Sequence, residues 1–171
     1  MDIPVYLIAG FLDSGKTSFI NGILQDGFAA EDRTLLLCCE EGETAYDPKV
    51  LGNVFTYTID EPEQLTPELF KKLEKQYRPK QVIIEYNGMW LLQDLANNLP
   101  ENWIVYQCIA TADGTTALTY ARDNSMRSLL LDKIARSELI VFNRAEAVNN
   151  DAARQELHKL VRQASRKCDI A

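Results

Sequence analysis

A mostly parallel β-sheet with helices packed on both faces is the fold class this sequence predicts. Short apolar runs rich in β-branched and aliphatic residues alternate along the chain with longer segments of helical periodicity. That alternation implies parallel strands joined by crossover helices. The first apolar run also ends at Gly10, and the first helical segment follows after a short loop. With 171 residues the chain has the length of one domain.

Residues 5–9 (VYLIA) form the first buried strand. A helix over 16–24 sets Phe19, Ile20, Ile23 and Leu24 at helical spacing and stops at Gly27. Residues 34–39 (TLLLCC) read as a second strand and the acidic, glycine-containing stretch 40–48 as a loop, with a short third strand over 54–59. Pro67 opens a helix whose Leu69, Phe70, Leu73 and Tyr77 share one side until Pro79 ends it. A strand over 81–85, a short helix over 91–97 and a strand over 103–110 follow. The helix expected over 124–137 lines up Met126, Leu129, Leu130, Lys133 and Ile134. A strand over 139–142 and a helix over 151–165 come next, the latter burying Leu157, Leu160, Val161 and Ala164. A last strand begins near Asp169.

Composition narrows the function. Eighteen basic against 25 acidic residues give a net charge of −7, which disfavours nucleic acid and anionic lipid as partners. No apolar run approaches the ~20 residues that span a bilayer, and the first ten residues lack a secretory signal, so a cytoplasmic location is expected. Four cysteines, Cys38, Cys39, Cys108 and Cys168, are too few and too uneven for a disulfide scaffold.

Gly10-Phe11-Leu12-Asp13-Ser14-Gly15-Lys16-Thr17 matches GxxxxGK[ST] at every fixed position, between an expected strand and an expected helix. Such a loop curls its backbone amides around a phosphate, with the helix dipole adding positive potential. Gly10, Asp13, Ser14, Gly15, Lys16, Thr17 and Ser18 are therefore the candidate phosphate-binding set. Lys16 reaches for the outer phosphates and Thr17 offers a hydroxyl to Mg²⁺. The strand over 81–85 ends in Glu85, where a second Mg²⁺-holding group belongs; a solvated strand-end acid is the alternative. After the strand over 139–142 stands Asn143-Arg144-Ala145-Glu146, which reads as a variant of the NKxD guanine box. Asn143 would prop the loop and touch the base, Arg144 stack on it, and Glu146 accept hydrogen bonds from guanine; a polar turn is the alternative here.

With these pieces in order the chain resembles the CobW/HypB/UreG family of SIMIBI-class P-loop GTPases, the CobW branch above all. Beyond the phosphate loop, the resemblance is carried by Cys39-Glu40-Glu41-Gly42-Glu43-Thr44-Ala45-Tyr46-Asp47, similar to the family's NEFGExxxD switch, and by Ile84-Glu85-Tyr86-Asn87-Gly88, similar to its IExSG strand end. Ala112-Asp113 resembles its VDA strand end and Asn143 to Glu146 its NKxD box. The resemblance implies a P-loop NTPase fold, GTP and GDP as ligands, Mg²⁺-dependent hydrolysis, and Asp47 and Glu85 as partners of Thr17 at the metal. It further implies a role in metal homeostasis, delivering Ni, Co or Zn to a client protein, and a homodimer formed on nucleotide binding. CobW relatives continue into a smaller C-terminal domain, so residues 1–171 are expected to form the GTPase domain without it.

The family's GCxCC metal segment would fall near residues 51–56, which contain no cysteine. The vicinal Cys38 and Cys39 lie upstream instead, where they could take a soft ion such as Zn²⁺ with help from Glu40 and Glu43. In a strand the two thiols face opposite ways, and two plain buried cysteines are the competing reading. For catalysis, Lys16 would stabilise the transferring phosphoryl group while Glu40 or Glu43 orients water. Two other functions stay open: a nucleotide switch with negligible hydrolysis, and a small-molecule kinase whose arginine lid would have to come from Arg122 and Arg127.

Overall fold

The computed structural model describes residues 1–40, 46, 52–144 and 150–171. Seven strands, β1 (Ile3–Ala9), β2 (Thr34–Cys38), β3 (Val54–Thr58), β4 (Gln81–Glu85), β5 (Trp103–Asp113), β6 (Leu139–Asn143) and β7 (Asp169–Ile170), form one sheet in the order β3-β2-β4-β1-β5-β6-β7. Every pairing is parallel. Six α-helices accompany them among the described residues: α1 (Lys16–Gln25), α2 (Pro67–Tyr77), α3 (Leu92–Asn98), α4 (Ala117–Arg122), α5 (Asn124–Ala135) and α6 (Asp151–Ala164).

The strands read as apolar runs because both faces of the sheet are covered. Leu35 and Leu37 point to one face and Leu36 to the other, and all three are fully buried. Ile20 and Leu24 of α1 pack with Ile8, Leu36, Ile83 and Ile109 on one side. On the opposite side Phe70 and Leu73 of α2 and Leu92 and Leu95 of α3 meet Val5, Leu7, Val82 and Ile84. Further along that same side α4, α5 and α6 cover Ala110, Ala112 and Ile140. Each fully buried Leu or Ile contributes about 1.5–3 kcal/mol relative to exposure. Helix starts are set by side-chain caps: Thr66 accepts from Leu69 N at 3.2 Å, Asp123 from Ser125 N at 3.0 Å, and Asn150 from Ala153 N at 2.7 Å.

Two features depart from the sequence expectation. Strand β5 runs to Asp113, three residues past the expected end at 110, because residues 109–113 pair in register with β6. Helix α4 was not foreseen; only Ala117 and Ala121 of its six residues are buried, too little for a periodic signal. Its Tyr120 stacks edge-on against Phe11, with ring centroids 4.8 Å apart. Arg122 pairs with Glu156 at 3.3 Å and Arg127 with Gln163 at 2.6 Å, so both candidate lid arginines are held against α6.

Candidate functional site

The C-terminal ends of β1, β2, β4, β5 and β6 gather the motif residues at one edge of the sheet. Between β1 and α1 the chain turns through Gly10 (φ +153°), Asp13 (φ +60°) and Gly15 (φ +99°), conformations that favour glycine. Space makes the two glycines obligatory as well. A Cβ on Gly10 would lie 2.5 Å from Ser14 Oγ and from both the carbonyl and the hydroxyl oxygen of Thr111; one on Gly15 would lie 2.4 Å from Asn143 Nδ2. The loop is thus moulded against the ends of β5 and β6. Ser14 and Thr111 hydroxyls are 2.7 Å apart, Ser14 N donates to Phe11 O at 3.1 Å, and Asp13 and Ser18 are exposed.

Lys16 is 4% exposed. Its amine donates to Gly10 O at 2.6 Å and to Phe11 O at 3.0 Å, and forms an ion pair with Glu40 just beyond β2. The other oxygen of Glu40 accepts from Gly88 N at 3.2 Å. Phosphate loop, start of the acidic segment and end of β4 are joined through this one carboxylate.

Thr17 and Glu85 are buried and adjacent, the hydroxyl donating to Glu85 Oε1 at 2.8 Å. Glu85 Oε2 accepts from the Tyr46 hydroxyl. Burial pushes the Glu85 carboxyl above the usual carboxylate range, against the pull of the Tyr46 and Thr17 hydrogen bonds. Burial, followed by the neighbouring Glu85, likewise raises the Tyr46 phenol. A threonine hydroxyl beside a carboxylate is a set of hard oxygen donors that suits Mg²⁺. Asp47 and Glu43 lie outside the described residues.

The β6 side is more open. Asn143 ends β6, and Gly15 packs against its amide. Arg144 (φ +54°) turns its guanidinium to Asp113 at the end of β5, with Nη1 2.7 Å from Oδ2. Asp113 is buried and also accepts from Thr115 N at 2.7 Å and Thr115 Oγ1 at 2.5 Å. Glu146 lies outside the described residues. The sequence singled out neither Asp113 nor Tyr46 for a role. The register partner of Asp113, Asn143, is the signal that could have found the first.

Cys38 is half-buried and packs toward the α1 side, whereas Cys39 is 2% exposed on the opposite side. Burial drives the Cys39 thiol well above its ordinary pKa, which keeps it protonated at neutral pH. Among the described residues no group of three or more His, Cys, Asp or Glu could hold a metal ion. Among them, too, no helix is long and apolar enough to cross a membrane. His158 is exposed, and Cys108 and Cys168 are core residues.

Lys133 lies on the buried side of α5 with Leu130 and Ile134, as the helical spacing implies. It is 1% exposed, its Nζ lies 4.8 Å from the Phe11 ring centre, and burial lowers its pKa to about 8.

The fold recurs in solved structures. The Zn(II)-bound YjiA GTPase of E. coli superposes with a TM-score of 0.65 at 20% identity, covering 94% of this chain and 54% of that one. The hydrogenase maturation factor HypB of Archaeoglobus fulgidus gives 0.62 at 15% identity, covering 99% of this chain and 79% of that one. In sequence the chain is 27% identical over 206 aligned positions to a protein of Sinorhizobium sp described as "Zinc chaperone CobW", covering 96% of this chain and 57% of the relative. It thus spans little more than half the length of that relative. The CobW/HypB/UreG nucleotide-binding domain matches residues 4–171, nearly every position, and the chain belongs to that family.

Proposed function

We propose that this chain binds GTP with Mg²⁺, hydrolyses it slowly, and uses the cycle to handle a metal ion for a client protein. The observation that carries the reading is the lysine-bearing loop moulded on β5 and β6, with Thr17 and Glu85 paired beside it. Lys16 donates to three protein oxygens, of Gly10, Phe11 and Glu40. A polyphosphate draws its amine away from Glu40, because phosphate oxygens carry more charge than one carboxylate shared with Gly88. Glu40 is then free to orient water toward the γ-phosphate. Thr17 and Glu85, joined by Asp47, would hold Mg²⁺, which when bound neutralises charge on the phosphates. Asn143, Arg144 and Glu146 would read the base.

A metal-linked role rests on the family and on the two zinc-associated relatives, described as a zinc chaperone and a Zn(II)-bound GTPase. Cys38, Glu40 and Glu43 are the groups of this chain nearest to such a role, and a cytoplasmic setting fits cysteines that form no disulfide. The test is a thermal-shift panel of GTP, GDP, ATP and ADP with and without Mg²⁺, followed by single-turnover GTP hydrolysis. Stabilisation by guanine nucleotides that grows with Mg²⁺, and phosphate release within one turnover, are expected. Indifference to every nucleotide removes the reading, and binding without release leaves a switch in place of an enzyme.

A further inference from the structure

The ion pair between Arg144 and Asp113 joins two adjacent strand ends at the mouth of the nucleotide site. Asp113 is 7% exposed and Arg144 is held to it through Nη1 at 2.7 Å, yet the arginine side chain as a whole is 59% exposed. No acceptor among the described residues takes the other N–H groups of the guanidinium. A buried carboxylate fixed by Thr115 N and Thr115 Oγ1 thus anchors one corner of a rigid planar fork and leaves its remaining donors facing outward. The fork stands next to Asn143, whose amide packs on the phosphate loop at Gly15, so it borders that loop on the β6 side.

We propose that Asp113 is a positioning residue for base selection, and that the Arg144 guanidinium it fixes donates to the O6 and N7 acceptors of guanine. Guanine presents two acceptors along that edge. Adenine presents N7 beside an N6 amine, a donor that meets the arginine donors head-on. The reading rests on nucleotide binding at this loop and adds to it the edge of the base that is recognised and the residue that aims the reader. It assigns Arg144 to the O6/N7 edge in place of stacking on the ring.

The experiment measures binding of Mg²⁺ complexes of GDP, ADP, inosine diphosphate and inorganic tripolyphosphate by calorimetry, for the wild type, Asp113→Asn, Arg144→Gln and the double variant. In Asp113→Asn the amide still accepts from Thr115 but no longer anchors the cation. Its GDP affinity should fall about ten-fold. Inosine diphosphate, which keeps O6 and N7, should lose as much, while ADP and tripolyphosphate stay unchanged. The double variant should be no weaker than Arg144→Gln alone. An unchanged GDP to ADP ratio in Asp113→Asn, or independent multiplicative losses in the double variant, overturns the proposal. So does an equal loss for tripolyphosphate, which would mean that Asp113 merely supports the loop. Should Asp113→Asn fail to fold, Arg144→Gln decides: it removes the fork, and must lose the GDP preference over ADP while tripolyphosphate binding stays. If the wild type binds no tripolyphosphate and no nucleotide, nucleotide binding itself fails, an outcome separate from the others.

Discussion

The phosphate end and the base end of the site are built on different principles. At the phosphate end Lys16, Thr17 and Glu85 are all buried, and their hydrogen bonds are made within the protein. At the base end Asn143 and Arg144 are exposed, and one buried carboxylate, Asp113, supplies the only ion pair there among the described residues. A ligand arriving at the first end must exchange existing bonds, whereas at the second it meets donors still unused. The first should therefore govern whether nucleotide binds at all, and the second which nucleotide binds.

Lys16→Ala is the sharpest way to break that contrast. Removing the amine should cost about a hundred-fold or more in affinity for every nucleotide alike and abolish their thermal stabilisation. A preserved response to GTP would take the phosphate end out of the account. Thr17→Ala should cost about ten-fold in Mg²⁺ and nothing in EDTA; an equal loss in both would show that the hydroxyl serves the loop and not the metal. Glu146→Ala should weaken GTP about five-fold and leave ATP alone, so a loss common to both bases would move Glu146 out of base recognition.

A smaller effect concerns the cation behind the phosphate loop. The Lys133 pKa falls from 10.5 to about 8 on folding. The unfolded chain therefore holds more protons across that interval, and stability rises with pH there and is lost again as pH falls back through 8. Lys133→Met should flatten this slope by about 1 kcal/mol per pH unit at most and stabilise the protein at pH 7. Denaturant midpoints of both proteins at pH 7, 8 and 9 check it. Parallel curves would mean that Phe11 and Leu129 keep the ammonium charged at no cost.

Much of the phosphate end was legible because its chemistry is local. Gly10, Gly15, Lys16 and Thr17 lie within eight residues, and only glycine tolerates the +153° and +99° φ angles between them. Glu85 was legible as the acid ending an apolar strand, and the alternation of β2 foretold that Cys38 and Cys39 would part to opposite sides. What the sequence concealed is long-range. Asp113 and Arg144 are 31 residues apart, and only the β5–β6 register brings them together. Tyr46 meets Glu85 across 39 residues, from an acidic, switch-like segment in which the sequence gives its tyrosine no partner. Helix α4 escaped because two buried alanines make no stripe.

The central claim is that the backbone from Asp13 to Thr17 is a nest for a polyphosphate. Amide NMR on the nucleotide-free protein, with GDP and Mg²⁺ added stepwise, tests it most directly. The N–H resonances of Asp13, Ser14, Gly15, Lys16 and Thr17 should shift together and saturate at one GDP per chain. Resonances that stay in place while GDP is present in excess would contradict it.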